Sequence, residues 1–542
     1  MSLPETEPLA NDAAEAVGDA EAFRLLAGLV SIAPTNLEDS VHGRFEKPNY
    51  LRAADLIVRW ARHAGLRTRV FDPVIEGPPQ PSLRGIPRPN VIVDLDVGAQ
   101  ETVLLLAHYD VVPVPAEQLA RWKSPPHSLS WRSDGRLYGR GTNDDLGSGV
   151  VASLLAMKHL AAEPNLNRNV RLLACCDEET GGLGGIEAIR ARDERLPRDD
   201  PDRFLRGIVA LIPDGAPRVN AACSGGIVLH ATFSTPPSLS AVLRFGVELV
   251  HLHEHAMLSR SAYPSPDWPS YGAPAPVITG RATVTQWDFE SRASQAGPVE
   301  LLRVHAESDA SNQIPQAVTL VFSGRGANDE FADRIRDWVP SPYRLEGVGS
   351  SSLPIPSDAL ALQLVGKSAH GGYPHRGHNP VPPAIELLGR AVREDLFEGS
   401  TKGAASFTVD IRLIPEMSLE EGNRTALSPL RAWIDRNDPT VRLETPEDRC
   451  RAGSTLAIDH PVSTRMERIM REVFGVRGVV GEYGGTDASS LVGMMTPSGQ
   501  PLPAVVFGSM DRRSNIHEAE ENVDPRALAK VAKVIERFVR EP

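Results

Sequence analysis

The run Leu104-Leu-Leu-Ala-His-Tyr-Asp-Val-Val-Pro113 constrains this chain more than any other stretch. An apolar run that ends in His-x-Asp reads as a buried parallel strand. It delivers an imidazole and a carboxylate at the carboxyl edge of an open α/β sheet, where such sheets place their chemistry. His108 and Asp110 are two residues apart, so while strand geometry persists they point to one face. A neutral imidazole is a good zinc ligand, and a carboxylate beside it fixes the ring's orientation. A His and an Asp at a strand end also serve as plain loop caps, so the decision rests on how many ligand-type residues end strands elsewhere.

Along the chain, residues 21–31 and 49–64 carry apolar side chains at three- and four-residue intervals and read as amphipathic helices. Strands are expected at 70–71, 90–95 and 102–107. A long loop then ends in Gly139-Arg-Gly-Thr-Asn-Asp-Asp-Leu-Gly147, followed by a helix over 150–160. The apolar strand 170–176 runs into Asp177-Glu-Glu-Thr-Gly181, a helix follows at 185–192, and the buried strand 208–212 stops at Pro213-Asp-Gly215. This alternation is the sequence form of a parallel, doubly wound sheet. After Pro217 the character shifts to longer amphipathic strands, with a Ser/Pro/Trp-rich insertion at 259–276 and helices near 327–339, 380–396 and 423–435. The α/β pattern resumes with a helix over 462–474 and closes with one from Pro525. With 542 residues, two or three domains are expected. The division read here is 1–218 as the first part of a catalytic domain, 219–455 as an inserted domain, and 456–542 as the rest of the catalytic domain.

The chain is globular in composition, with 41% apolar residues and no apolar run long enough to span a bilayer. The acidic, Ala-rich N-terminus lacks the basic and apolar regions of a signal peptide, which implies a cytoplasmic protein. The four cysteines, Cys175, Cys176, Cys223 and Cys450, show no Cys-x-x-Cys spacing and read as reduced, structural thiols. A formal charge of −13 argues against a nucleic-acid or anionic-membrane partner, both of which reward basic patches.

The remaining ligand-type residues at strand ends are Asp144, Glu178, Glu179, Asp214 and His517. Each taken singly is as well explained by a helix cap or a solvated loop acid. Jointly, two imidazoles and several carboxylates on different strand ends suit a pair of zinc ions about 3.5–4 Å apart that share one bridging carboxylate.

With these residues in hand, the sequence resembles the di-zinc family of aminoacylase, carnosinase, acetylornithine deacetylase and glutamate carboxypeptidase. The resemblance rests on Ala-His-x-Asp-Val-Val-Pro (107–113), Gly-Arg-Gly-Thr-x-Asp-Asp-x-Gly (139–147), Asp-Glu-Glu-x-Gly (177–181), Pro-Asp-Gly (213–215), Gly-Lys-Ser-Ala-His-Gly (366–371), Asp-Ile-Arg (410–412), Gly-Gly-Thr-Asp-Ala (484–488) and Asn-Ile-His-x-x-x-Glu (515–521). These motifs span most of the chain in the family's order. Asn312-Gln-Ile-Pro315, placed before the Gly-Lys-Ser-Ala-His stretch, is similar to the dipeptidase V branch. The resemblance implies a zinc-peptidase-like mixed sheet flanked by helices, with an inserted α+β domain of the lid or dimerisation type. It also implies two Zn2+ ions, which Co2+ or Mn2+ can replace. His108, Asp144 and Asp214 would hold one ion and Asp144, Glu179 and His517 the other, with Asp144 bridging. Asp110 would orient His108, and Glu178 would be the general base. His370, from the inserted domain, would stabilise the oxyanion. Arg412 would grip a substrate carboxylate, with Asn379, Gly484, Gly485 and Thr486 lining the same subsite. The peptide bond Asp144–Asp145 is expected to be cis. Arg412 is alternatively an ordinary ion-pair partner of Asp410 or Glu416, and Asn379 is alternatively the cap of the following helix.

Two features depart from the family pattern. Leu146 stands where members usually carry Lys, a change in packing behind the metals rather than in a ligand. The stretch Val250-His-Leu-His-Glu-His255 has no counterpart: His251 and His255 are four apart on an expected helix, but with no third ligand at good spacing they read as a solvated or substrate-facing surface. Trp268 and Trp287 either shape an apolar subsite or are plain core. The function expected is that of a di-zinc metallohydrolase cleaving a peptide, dipeptide-like, amide bond next to a free carboxylate. The alternative is an N-acyl-amino-acid deacylase, or a carboxypeptidase acting on a non-peptide amide. The partner expected is a small peptide or N-acyl amino acid, with the protein a monomer or a homodimer. A catalytically dead scaffold would have lost Glu178 or a ligand. A single-zinc phosphatase would want basic residues around the strand ends, and none are found there.

Overall fold

The computed structural model describes residues 15–541, apart from 36–48, 78–82, 84, 115, 266–276, 292–297, 307, 309–312, 349–352, 370–376 and 447–449. The chain divides into two compact units: Met1–Cys223 with Ser454–Glu482 and Thr486–Pro542, and Ser224–Gly453 with Tyr483–Gly485.

The first unit is built on a nine-stranded sheet whose path runs Arg67–Phe71, Asn90–Leu95, Asn169–Cys175, Thr102–His108, Val209–Ile212, Ala504–Val506, Val219–Cys223 and Ser454–Thr455, with Val479–Glu482 also paired to Val219–Cys223. Thr102–His108 sits at its centre, parallel to both neighbours. From Val103 onward its residues are at most 2% exposed. The unbroken apolar run, without alternation, is therefore explained by burial on both faces. Leu104, Leu106, Leu173, Ala210 and Ile212 pack on one face against Ile186 and Ile189 of the helix Ile186–Asp193. Arg171 interrupts its apolar strand because its register partner is Asp94: Nε donates to Asp94 Oδ1 at 2.6 Å, and the pair is half-buried at the sheet's flank.

The sheet is mixed rather than wholly parallel as the alternation alone suggested. Asn90–Leu95 is antiparallel to Asn169–Cys175, Arg67–Phe71 is antiparallel to Asn90–Leu95, and Val219–Cys223 runs antiparallel to Ala504–Val506. The strand Val219–Cys223 also shifts the boundary read from composition. It pairs parallel with Val479–Glu482 and so belongs to the first unit, and the second unit begins at Ser224 rather than at residue 219.

The second unit is an antiparallel sheet in the order Arg344–Gly347, Leu360–Val365, Ala317–Ser323, Glu300–Ala306, Arg281–Ser291, Gly403–Leu413, Gly225–Phe233 and Val441–Glu444, with Cys450–Arg451 also paired to Gly225–Phe233. The helices Leu239–Ala256, Val381–Arg393 and Leu419–Asn437 pack Phe245, Leu249, Ile385, Leu388, Leu427 and Leu430 into a core with Trp287, Phe289 and Phe407. Ser238 and Ser418 start two of these helices by accepting from Ala241 N and Glu421 N, which satisfies donors that the first turn leaves over. Trp287 is fully buried and stacked on Phe407 at 5.7 Å, so of its two readings the structure gives core. Trp268 lies outside the described residues.

Because the central strand is closed on both faces, Leu105→Ala is expected to lower stability by about 2–5 kcal/mol. Arg59→Ala, which breaks the exposed pair with Asp55, is expected to cost under about 1 kcal/mol. Urea denaturation of both variants checks the contrast, and equal midpoints would contradict the placement of Leu105.

Candidate metal centre

His108 occupies the last position of the central strand, and the loop after it turns Asp110 back under the imidazole. Nδ1–H donates to the Asp110 backbone carbonyl at 3.0 Å, with the Asp110 carboxylate 3.6 Å away. That carboxylate in turn accepts from Glu178 N and Glu179 N, each at 3.1 Å. Asp110 therefore ties the strand end that carries His108 to the short 3-10 turn that carries Glu178 and Glu179. With Nδ1 engaged, Nε2 faces inward, 3.1 Å from Asp144 Oδ1. The other oxygen of Asp144 lies 3.0 Å from His517 Nε2, and that same nitrogen is 3.1 Å from Glu179 Oε2. Each Asp144 oxygen thus faces one imidazole, the arrangement a bridging carboxylate needs. The Asp144–Asp145 peptide bond is cis.

Donor atoms of His108, Asp144 and Glu179 lie within 4.8 Å of one another, and so do those of His108, Asp145 and Asp214. Asp145 is a member that the sequence reading missed, because only Asp144 was assigned a role. Its Oδ2 accepts from His108 N at 3.3 Å and its backbone carbonyl accepts from both Gly149 N and Val150 N. A Cβ at Gly149 would stand 1.8 Å from Asp145 Oδ2, so only glycine permits this close approach. The residue in the departing position, Leu146, is fully buried against Gly141, as packing behind the site requires.

So many carboxylates in one dry place cannot all keep their ordinary acidity. Burial pushes the Asp214 carboxyl well above its usual range, and the charges of Asp144 and Glu178 add to the effect. Burial and the neighbouring Asp214 raise Asp145 in the same way. Glu179 is pushed up to about 7 by burial and Asp144, against the pull of His517. For Asp144 burial acts upward too, but hydrogen bonds from His108 and His517 outweigh it and hold the carboxyl well below the carboxylate range. Burial likewise opposes protonation of His108 and His517, yet their acidic partners keep both imidazoles well above the ordinary value. Among the described residues, Glu179 Oε1 and Asp145 Oδ1 are buried without a hydrogen-bond partner. Orphaned carboxylate oxygens beside two imidazoles are what a divalent cation satisfies, so the donor set fits bound metal.

One further residue supports the centre. Glu521, quoted in its motif but given no role from sequence, is fully buried. Its Oε1 accepts from Asn143 N and Asp144 N, each at 3.2 Å, while Oε2 accepts from Gly141 N at 3.0 Å and Arg140 Nη1 at 2.8 Å. Arg140 reaches on to Gln118, whose amide donates to the His517 carbonyl at 2.9 Å. One carboxylate thus holds the loop bearing Asp144 to the loop bearing His517. The available signal was an Arg and a Glu inside otherwise ligand-bearing motifs, both of which needed a buried partner.

The other expected residues fall as follows. His370 lies outside the described residues, as does Asn312. In the second unit, Arg412 Nε donates to Asp410 Oδ2 at 2.9 Å. Asn379 accepts from Val381 N and donates to Val284 O, so its amide both starts a helix and ties it to a strand. Gly484 and Gly485 belong to that unit, and Thr486, in the first, accepts from Ala488 N. His251 and His255 are exposed on their helix, His253 Nδ1 accepts from Ala282 N, and both metal-type groupings among the described residues include His108. The four cysteines are free thiols.

Glu521→Gln turns an acceptor oxygen into a donor that faces backbone N–H groups. It is expected to weaken metal binding about 10–100-fold. The control Glu520→Gln, which disturbs a half-buried pair with Arg132, should change it little. Competition with a chelator of known affinity measures both, and equal retention by the two variants would remove Glu521 from the support of the site.

Residues 104–541 match the model of peptidase family M20/M25/M40. A curated relative, the succinyl-diaminopimelate desuccinylase of Acidovorax ebreus (strain TPSY), is 29% identical over 247 residues, 44% of this chain and 55% of that protein. The chain thus spans about half the length of this relative. Among solved structures, the di-peptidase Dug1p from Saccharomyces cerevisiae superposes with a TM-score of 0.56 at 13% identity, covering 98% of both chains. Human carnosine dipeptidase 1 gives 0.55 at 15% identity over 99% of both. At such identities the likeness concerns the fold. With a family match over four-fifths of the sequence and the ligand-type side chains gathered at one sheet edge, the chain belongs to peptidase family M20/M25/M40.

Proposed function

We propose that the protein is a di-zinc metallohydrolase that cleaves a peptide, dipeptide-like, amide bond next to a free carboxylate. The observation that carries this reading is Asp144, whose two oxygens each face a different imidazole at 3.0–3.1 Å. On this reading His108, Asp144 and Asp214 hold one ion, Asp144, Glu179 and His517 hold the other, and Asp145 adds a carboxylate beside His108 and Asp214. Two such ions, when bound, polarise a carbonyl and bring the pKa of a water towards neutrality.

The chain's own groups do the rest. Glu178, whose turn is held by Asp110, takes a proton from the attacking water and passes it to the leaving amine, so one carboxylate serves as base and then as acid. Its neighbour Glu179 is committed to His517, which separates the ligand role from the base role. His370 donates to the developing oxyanion, and Arg412, with one edge held by Asp410, presents its remaining N–H groups to a substrate carboxylate. A desuccinylase among the relatives and di-peptidases among the structural neighbours support amide hydrolysis of small substrates as the class. The second reading is an N-acyl-amino-acid deacylase, or a carboxypeptidase on a non-peptide amide, and the desuccinylase among the relatives supports the deacylase form of it. Four free cysteines support a cytoplasmic setting.

The test is a zinc-loaded screen of dipeptides against N-acyl amino acids, run beside elemental analysis. Two ions per chain are expected, with Asp144→Ala losing both and His517→Ala mainly one. Glu178→Gln should keep its metal and its KM while kcat falls by about three orders of magnitude or more, since only the proton acceptor is removed. A chain saturating at one ion would end the di-zinc reading, and near-normal turnover by Glu178→Gln would require another base.

A further inference from the structure

Two arginines of the first unit lack a counter-charge among the described residues. Arg203 and Arg206 flank the turn Phe204-Leu205, in the loop that joins the helix Ile186–Asp193 to the strand Val209–Ile212. Arg203 is only 7% exposed and Arg206 is half-buried. The Nε of each is buried, and among the described residues neither guanidinium has a hydrogen bond or an ion pair. Arginine is almost never this buried without a partner, because an uncompensated charge loses its hydration and gains nothing in return. The same loop carries Asp199, Asp200 and Asp202, yet Asp200 Oδ1 accepts from Asp202 N at 2.8 Å and no carboxylate of the three pairs with either guanidinium.

The turn is fixed, so the two side chains start close together. Phe204 and Leu205 are buried, and Leu205 N donates to Oδ2 of the buried Asp193 at 2.6 Å. Residues that flank a turn have Cα atoms within about 7 Å of each other. Further positive charge surrounds them. Arg69 and Arg192 lie 4.8 and 4.0 Å from the Phe204 ring centroid, and Arg171 Nη1 donates to the carbonyls of Arg203 and Phe204 at 2.9 and 3.2 Å. The carboxylates that serve these three are already engaged: Asp94 is shared by Arg69 and Arg171, and Asp193 pairs with Arg192. The loop meets the amino end of the central strand, where Ile208 N donates to Thr102 O at 2.9 Å. His108 ends that strand, and a rise of about 3.3 Å per residue puts the metal centre about 20 Å away.

We infer that Arg203 and Arg206 form a binding site for a doubly charged oxyanion of the phosphate type, separate from the metal centre. Two permanent cations without a carboxylate call for two negative charges, which a phosphate group comes close to carrying at neutral pH. Planar guanidiniums bind such a group through paired N–H···O bonds, and one phosphate has enough oxygens to serve both forks. A chloride ion would leave one cation unmatched. The group arrives either as free inorganic phosphate or as the phosphate of a small monoester, since both present the same charged oxygens.

The test is amide hydrogen exchange on the zinc-loaded chain, freed of excess metal, in potassium phosphate against potassium chloride of equal ionic strength. Exchange through an opening that releases the ligand slows in proportion to ligand concentration over Kd, so residues 197–208 are expected to exchange about tenfold more slowly at about ten times Kd. Glycerol phosphate in place of phosphate identifies the source. Matching protection shows that the site accepts the esterified group, and protection by phosphate alone shows that it takes the free ion. Protection confined to the ligand-bearing loops 139–147, 177–181 and 515–521 would place phosphate on the metal and overturn the inference, as would equal protection in chloride. Arg203→Gln and Arg206→Gln should each cut the protection of 197–208 to below about twofold, while Arg198→Gln, exposed on the same loop, should retain it. In chloride alone Arg203→Gln is expected to melt no lower than wild type, because it removes a charge without a partner. Protection kept by both variants, or a melting loss of the same size with and without phosphate, assigns the arginines to packing and overturns the inference as well. The wild-type exchange pattern decides by itself if either variant fails to fold.

Discussion

The repulsion among buried carboxylates at the carboxyl edge of the first unit's sheet is the constraint on which the site depends. Asp110, Asp144 and Asp145 are buried, with the partly exposed Asp214 and Glu179 beside them. Isolated charges there would cost several kcal/mol each, so every one needs a donor or a cation. The chain meets this in two ways. Asp110 and Glu521 are satisfied by backbone N–H groups, two for the first and three for the second, and become structural. Asp144, Asp145, Asp214 and Glu179 keep oxygens turned towards His108 and His517, and they are the set left for metal. The two carboxylate populations lie side by side in sequence as well. Glu178 and Glu179 share the turn anchored by Asp110, and Asp144 follows the loop anchored by Glu521.

That division explains what the sequence made legible. His108 was visible because an apolar run buried on both faces ended at it, and Asp214 because the adjacent strand Val209–Ile212 repeated the pattern. Both signals come from hydrophobic periodicity, which survives in one dimension. Glu521 and Asp145 were not separable from ordinary loop acids, since their roles depend on which N–H groups the folded loops bring near. The mixed character of the sheet came from the family resemblance and not from the alternation of helices and strands, because a strand reads the same whichever way it runs. Composition placed the domain boundary at residue 219, five positions early, because Val219–Cys223 is apolar in either setting and only its pairing with Ala504–Val506 and Val479–Glu482 assigns it.

The second unit shows the same limit more sharply. Arg412 stood out in Asp-Ile-Arg, but its alignment with Arg281 and Arg451 follows from strand register, which no motif carries. A one-residue slip of Arg281–Ser291 would turn Arg281 to the opposite face and dissolve that alignment. The bulge between Val284 and Gln286 lies beyond it, so the stretch from Arg281 to Val284 keeps the uninterrupted register that holds Arg281 beside Arg412.

Leu146 sharpens the electrostatic argument for the first unit. Where members of the resembled family usually carry Lys, this chain buries an apolar side chain against Gly141, within the loop that bears Asp144. A lysine there would place a fixed positive charge behind the carboxylates. Its replacement leaves the two imidazoles facing Asp144 as the positive groups beside that carboxylate, and an imidazole that ligates an ion would have to give up a proton. The consequence is a tighter linkage between metal and fold. Occupancy stabilises the native state by an amount that grows with the logarithm of ion concentration over Kd. A cation held by this donor set would also offset the repulsion between Asp144 and Asp214.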